Sequence, residues 1–157
     1  MSSWIFQGNP DRFDIDSYLE NNSLIYWSVT NHHEQVKLDD TVYIWRAAGS
    51  KKAISGVVAM GLISEECKPK LAVTYPSLLG KELWTEKDDE TSEVKAGIRL
   101  IEKRLSPESG MLLAKELKLH EEVSKMAILT VRTGTNFLLK EGEANELSRL
   151  WDSHLRG

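Results

Sequence analysis

Two apolar runs separated by one short turn constrain the fold more than any other stretch of the chain. The first, Thr41-Val42-Tyr43-Ile44-Trp45-Arg46, alternates, with Val42 and Ile44 on one side and Tyr43 and Trp45 on the other. That is the pattern of a β-strand. The second, Gly56-Val57-Val58-Ala59-Met60-Gly61-Leu62-Ile63, is enclosed by Ser55 and Ser64 and is apolar without interruption. It suits a strand buried on both faces. The turn between them, Ala48-Gly49-Ser50-Lys51-Lys52, contains glycine, and the pair reads as a hairpin.

The remaining segments extend this sheet. Trp4 to Gln7 reads as a strand, stopped by Gly8-Asn9-Pro10. Asp14 caps a short helix, with Phe13 and Tyr18 at the positions of a hydrophobic staple and Tyr18-Leu19 as its apolar side. Leu24 to Val29 is a further strand, and Asn31 to Leu38 a polar connection. Cys67 to Ser92, with Pro69, Pro76 and Gly80, is irregular and turns acidic towards its end.

From Glu93 to Leu105 two periods compete. Val94, Ala96, Ile98 and Leu100 alternate, whereas Ile98, Ile101 and Leu105 fit a helix. Gly97 weakens a helix and favours a strand for the first half. Met111 to Leu119 reads as a short helix, Met126 to Val131 as a strand, and Glu141 to Leu155 as a helix striped by Ala144, Leu147, Leu150, Trp151 and Leu155. Six strands and three or four short helices, without strict alternation, predict an α+β fold. A mixed barrel or curved sheet fits this better than a doubly wound parallel sheet.

With 157 residues the chain is expected to be a single domain over 1–157. No apolar run approaches a membrane span, and the N-terminus lacks the pattern of a signal peptide. One cysteine, Cys67, precludes an internal disulfide and fits a reducing, cytoplasmic setting. Beside Glu65 and Glu66 it has no electropositive neighbourhood and reads as structural. A monomer is expected, although no residue pattern sets the oligomeric state.

The net charge of −4 argues against tight, sequence-blind nucleic-acid binding. The charge is uneven, however. Acids crowd Glu86, Asp88, Asp89, Glu90 and Glu93, and again Glu141, Glu143 and Glu146. A local basic cluster around Arg46, Lys51 and Lys52 leaves a focused contact with nucleic acid open.

Catalytic and metal signatures are absent. There is no Gly-x-Ser-x-Gly elbow, phosphate-binding loop or dinucleotide fingerprint. His32 and His33 with Glu34 invite a metal reading, but adjacent residues of an extended chain point to opposite faces and no third ligand follows at a suitable spacing. His120 and His154 stand in polar, surface-like contexts. No catalytic residue, metal or cofactor is expected.

The tryptophans are the other strong signal. Trp27 in Leu24-Ile25-Tyr26-Trp27-Ser28-Val29 and Trp45 in Val42-Tyr43-Ile44-Trp45-Arg46 each lie near a strand end with polar residues close after. Two large apolar rings at neighbouring strand ends make walls for a flat aromatic ligand, of which a nucleobase is the obvious one. The competing reading places both in the core. Trp4, Trp84 and Trp151 read as core.

Four stretches together resemble an EVE domain, a member of the PUA-like superfamily. They are Trp4-Ile5-Phe6-Gln7-Gly8-Asn9-Pro10 with Phe13-Asp14-Ile15-Asp16; Tyr26-Trp27-Ser28-Val29; Asp40 to Arg46 followed by Gly56 to Gly61; and Gly134-Thr135-Asn136-Phe137 leading into Glu143 to Leu147 and Leu150-Trp151. They run from the first strand to the last helix. The resemblance implies a PUA-like mixed β pseudo-barrel with short helices packed around it. The related YTH domains read methylated adenine in RNA through an aromatic cage, one wall of which is a tryptophan followed by a small hydroxyl residue, as in Trp27-Ser28. EVE domains are implicated as readers of modified bases, modified cytosines foremost. One departure is visible: Lys140-Glu141-Gly142 stands where the family usually starts its last helix with Thr or Ser.

What the resemblance implies for the site follows. The expected partner is DNA or RNA carrying a modified base. Such a base must leave its stack to be inspected, and stacking on aromatic faces offsets that cost by about 1–3 kcal/mol. Trp27 and Trp45 would supply the faces. Ser28, the backbone near Val29, Asn9 and Asn136 would meet the base edge. Arg46 and Lys51 would meet a phosphate, and Gly134-Thr135 would bring backbone N–H groups close. The alternative is a small-molecule or nucleoside-binding protein, or an enzyme, using the same pocket. A titratable group inside the pocket separates these classes. A protein-interaction module without a concave site is the third reading.

Overall fold

One mixed sheet of seven strands organises the computed structural model, which describes residues 1–50, 54–85, 94–131 and 134–154. The strands are β1 (Ser3–Gly8), β2 (Leu24–Ser28), β3 (Thr41–Arg46), β4 (Gly56–Pro69), β5 (Val94–Lys103), β6 (Leu112–Leu113) and β7 (Asn136–Leu138). Their order is β2-β5-β4-β3-β1-β7, with β6 attached to β4. Only β1 and β3 run parallel; every other pairing is antiparallel. The sheet is not closed by a ladder between its end strands, β2 and β7.

Strand alternation divides the apolar residues between two cores. Trp4 and Phe6 of β1 and Val42 and Ile44 of β3 face one core, with Ile25 and Trp27 of β2 and Ile98 of β5. Helix α1 (Ile15–Asn21) covers this side with Ile15, Tyr18 and Leu19. Ile5, Tyr43 and Trp45 face the other core, which Leu147 and Trp151 of the last helix cover. The split of Thr41–Arg46 into two faces is as the alternation predicts. β4 is 14 residues long and reaches β3, β5 and β6 because three register shifts against β5 bend it.

Several local expectations hold. Asp14 accepts from Ser17 N at 3.2 Å as the cap of α1, and the Phe13 and Tyr18 rings meet edge to face at 5.1 Å. Trp4 is in the core, its Nε1 donating to the buried Asp40 carboxylate at 3.0 Å. The segment read as ambiguous is strand throughout Val94–Lys103. Its partners β2 and β4 on either side decide the conflict that periodicity left open.

Other expectations are corrected. Met126–Val131 is no strand. Ala127–Thr130 forms a helical turn, α4, after α2 (Ala114–Leu117) and α3 (Glu121–Ser124). The predicted helix over Met111–Leu119 starts with the two strand residues of β6 and narrows to α2. A seventh strand, β7, adds to the six expected, where the sequence pattern offers no strand. Helix α5 spans Glu141–His154. It lacks a hydroxyl cap, but Glu143 Oε1 accepts from Lys140 N at 2.9 Å, which supplies half of a capping box. Leu155, the end predicted for this helix, lies outside the described residues, as does Lys51.

Candidate nucleic-acid interface

The Gly8-Asn9-Pro10 stop that ends β1 opens a hollow beside the end of β2. The hollow is a cavity of about 280 Å³. That is near the lower end of the roughly 300–1,000 Å³ usual for small-ligand sites. β1 contributes Gln7 and Gly8, β2 contributes Tyr26, Trp27 and Ser28, and the start of β5 contributes Lys95. Asn9, Arg12, Phe13, Trp84, Gly134 and Thr135 are among the loop residues that complete it.

Trp27 is 6% exposed, and its ring is pinned. Nε1 donates to the Gln7 carbonyl at 3.1 Å. A Cβ on Gly8 would stand 2.8 Å from Trp27 Cζ2, so glycine here is what lets the ring lie against β1. Gln7 is fixed in turn: its N donates to Thr135 O and its Nε2 to Gly134 O, each at 2.7 Å. Gly134 has φ of +119°, a conformation that glycine tolerates and other residues rarely adopt. The Gly134-Thr135 loop is thereby held at the cavity mouth.

The second wall is Trp84, not Trp45. Trp45 is 4% exposed and packs in the opposite core with Tyr43 and Leu147. The reason is strand period: Trp45 shares a face with Tyr43, and that face of β3 points away from the cavity. Trp84 packs, partly buried, against the core as expected, and it lines the cavity as well. It meets Phe13 edge to face at 4.9 Å. Asp14 N donating to Leu83 O at 3.0 Å and Thr85 N to Arg12 O at 2.9 Å hold its segment beside the loop after β1.

The remaining predicted residues divide. Ser28 and Asn9 line the cavity with Trp27, Gly134 and Thr135. Val29 is fully buried and does not; its N donates to Val94 O at 3.0 Å. Asn136 is 2% exposed and spent elsewhere. Its Oδ1 accepts from Thr30 N at 2.8 Å and its Nδ2 donates to Ser28 O at 3.0 Å, so one amide bridges the two end strands of the sheet. Arg46, expected at a phosphate, is 7% exposed, lies outside the cavity lining and is engaged within the protein. Nη1 donates to Asp16 Oδ1 at 2.8 Å and to Leu105 O at 3.0 Å, and Nη2 to Ile54 O at 3.0 Å. A strand-end arginine thus ties three segments together inside the protein.

Two cationic residues of the cavity, Arg12 and Lys95, carried no sequence signal. Arg12 is exposed at its rim. Lys95 is 3% exposed, donates to Ser28 Oγ at 2.8 Å, and holds its Nζ 5.5 Å from the centre of the Trp84 ring. Only its place opposite Ser28 in the β2–β5 ladder puts it there. No Asp, Glu, His or Cys is among the described lining residues. Tyr26 lines the cavity, but its hydroxyl donates to Glu65 Oε1 at 2.8 Å and accepts from Tyr75 N at 3.1 Å. Burial pushes that hydroxyl up to about 12, and the Glu65 carboxylate adds to the rise. Burial also works against the Glu65 charge, yet hydrogen bonds from Tyr26 and Thr74 and the nearby Lys68 outweigh it and hold the carboxyl below its usual range.

No group of three or more His, Cys, Asp or Glu residues suited to a metal occurs among the described residues. No described helix is long and apolar enough to cross a membrane.

The EVE domain model matches residues 2–150. No curated protein matches the chain. Among solved structures, a hypothetical protein from Leishmania major is 16% identical with a TM-score of 0.67, over 99% of this chain and 98% of that one. Human THYN1 in complex with 5-methylcytosine-containing DNA is 13% identical with a TM-score of 0.66, over 97% and 98%. The DUF55 domain of human thymocyte nuclear protein 1 is 15% identical with a TM-score of 0.64, over 96% and 99%. At such identities these likenesses establish the fold.

Proposed function

The chain belongs to the EVE domain family, and on that premise we propose that it binds nucleic acid as a non-catalytic reader, taking one modified base into the cavity beside Trp27. The observation that carries this reading is the make-up of the cavity. Two indoles, Trp27 and Trp84, and two cationic residues, Lys95 and Arg12, line one hollow, with no carboxylate among the described lining residues. Indoles favour a flat aromatic guest, and the cations favour one attached to a phosphate chain. Among the described lining residues there is no carboxylate, imidazole or thiol to serve as general acid or base for an enzyme acting on a nucleoside; the titratable groups there are Lys95, Arg12 and Tyr26, whose hydroxyl is taken up by Glu65.

The structure of the human THYN1 protein with 5-methylcytosine-containing DNA supports DNA as the partner and a modified cytosine as the base. The acidic balance of the chain fits the same picture, since affinity then depends on one seated base and a few phosphates. Roles pass to the residues that line the cavity: Trp27 and Trp84 as faces, Ser28, Asn9 and Thr135 at the edge and mouth, and Arg12 towards the phosphates.

The test is a titration of fluorescently labelled oligonucleotides carrying 5-methylcytosine, 5-hydroxymethylcytosine or N6-methyladenine, each with an unmodified control, at one fixed salt concentration. A modified strand binding more tightly than its control supports the reading. Equal affinity for all strands, or tight binding of a free nucleoside with none of the strands, contradicts it.

A further inference from the structure

We infer that Gln7 reads the exocyclic amino group of the base in this pocket, and so admits cytosine- or adenine-type bases over thymine and uracil. The inference rests on the base-reading function proposed above and concerns a residue to which that reading gives no role. Gln7 carries the last side chain of β1 before the Gly8-Asn9-Pro10 stop, and it lines the cavity. Three bonds fix it. Its N donates to Thr135 O at 2.7 Å, its carbonyl accepts from Trp27 Nε1 at 3.1 Å, and its Nε2 donates to Gly134 O at 2.7 Å. One residue thus pins a stacking indole and holds its own amide against the loop at the mouth.

Chemistry decides which end of that amide is spent. A backbone carbonyl accepts and never donates, so the group facing Gly134 O is the NH2 and the oxygen is turned away from it. Among the described residues nothing donates to Gln7 Oε1. The unspent function of this side chain is therefore an acceptor. It is a scarce one, because no described lining residue is a carboxylate, and Lys95 and Arg12 only donate. Asn9, on the other side of Gly8, has the opposite sense. Its Oδ1 accepts from Asp11 N at 2.9 Å, so its unspent group is the NH2.

An amino group beside a bare ring nitrogen suits this pair, giving Gln7 a donor and Asn9 an acceptor. Cytosine has that arrangement at N4 and N3, and adenine at N6 and N1. Thymine and uracil reverse it, with the O4 carbonyl beside N3–H. Their O4 would face Gln7 Oε1, two acceptors with no hydrogen between them, and the pairing is lost. Turning the ring over would restore the order only if the strand left N1 by the other side. Stacking cannot separate 5-methylcytosine from thymine, because their faces are nearly alike; an acceptor at the edge can.

The experiment uses otherwise identical labelled oligonucleotides carrying 5-methylcytosine, 5-methylpyrimidin-2-one, thymine or an abasic residue at one unpaired position. 5-Methylpyrimidin-2-one keeps the ring, methyl group, N3 and O2 of 5-methylcytosine and lacks only the amino group. The strands are titrated against wild type, Gln7→Met and Gln7→Glu, with thermal melting as the control for folding. Wild type should bind the 5-methylcytosine strand roughly three- to ten-fold more tightly than the strand lacking the amino group, the worth of one neutral hydrogen bond, and should bind thymine no better than the latter. Gln7→Met should bring that ratio close to one while both strands still bind better than the abasic one, because the indoles remain. Gln7→Glu gives up the bond to Gly134 but keeps an acceptor. It should retain the ratio even as its charge weakens the binding of every strand. A ratio lost in folded Gln7→Glu as well would make Gln7 a support for the mouth and overturn the inference. So would a ratio unchanged in folded Gln7→Met, or a wild type that binds both strands above the abasic one without telling them apart; base reading stands in each case. Wild-type affinity equal for all the strands, the abasic one included, overturns base reading itself, and the inference with it.

Discussion

Gly8 lies directly against the Trp27 indole, so close that a β-carbon on it would come within 2.8 Å of Cζ2. The same carbon would stand 2.8 Å from Ile15 Cδ1. The ring has little freedom to retreat, since its Nε1 is tied to the Gln7 carbonyl. Gly8→Ala is expected to displace Trp27 and close the hollow, at a stability cost of about 1–3 kcal/mol for overpacking. Affinity for a modified strand should fall at least about ten-fold, the loss of one stacking contact. Denaturant unfolding and strand titration measured on the same sample check both halves.

Asn136 holds together the two ends of an open sheet, accepting from Thr30 N and donating to Ser28 O. Asn136→Ala leaves both backbone groups without their partner and should cost about 2–3 kcal/mol. Asn136→Asp keeps the acceptor for Thr30 but cannot donate to Ser28, and it buries a charge. It should be no more stable than the alanine variant at neutral pH. Urea unfolding midpoints decide this.

Arg46 and Arg12 should behave in opposite ways. Arg46→Met removes hydrogen bonds to Asp16, Leu105 and Ile54 and should destabilise by about 2–3 kcal/mol, without altering how binding depends on salt. Arg12→Ala should reduce the slope of log affinity against log salt by about one, as loss of one phosphate contact does. Titrations of wild type and both variants across a salt series provide the check.

Burial of the Tyr26 hydroxyl, reinforced by its hydrogen bond to Glu65, gives a stability term with a defined pH window. Tyr26 ionises near 12 in the folded protein against an ordinary value of 10.0. A group whose folded value is raised stabilises fully below its unfolded value and loses that contribution as pH climbs to the folded one. Tyr26→Phe should therefore cost about 1–2 kcal/mol at pH 7. The gap between wild type and variant should shrink from about pH 10 to about pH 12. A gap that widens over that interval contradicts the assignment; thermal melts at stepped pH measure it.

Much of this architecture is legible in the sequence because it depends on local pattern. The faces of Thr41–Arg46, the Asp14 cap and the Phe13–Tyr18 staple all follow from spacing. The same alternation already separates Trp45 from Val42 and Ile44, and it is what removes Trp45 from the cavity. What cannot be read is set by long-range pairing. Asn136–Leu138 is a strand only because β1 pairs with it across more than a hundred residues. Trp84 lines the site because the segment around Leu83 bonds to the loop after β1. Lys95 enters the cavity through its register with Ser28. Arg46, expected at a phosphate, is drawn inside because the segments around Asp16, Ile54 and Leu105 close over it. Ala127–Thr130 is apolar enough for a strand, but among the described residues no strand pairs with it.

The central claim is that the hollow beside Trp27 holds a base. Its most direct measurement is the affinity ratio between a 5-methylcytosine strand and the same strand with cytosine, for wild type and for Trp27→Ala and Trp84→Ala, with melting curves to establish that each variant is folded. A ratio clearly above one in wild type that collapses to one in both variants, while weak salt-sensitive binding persists, is the predicted result. A folded Trp27→Ala protein that keeps the wild-type ratio would contradict it.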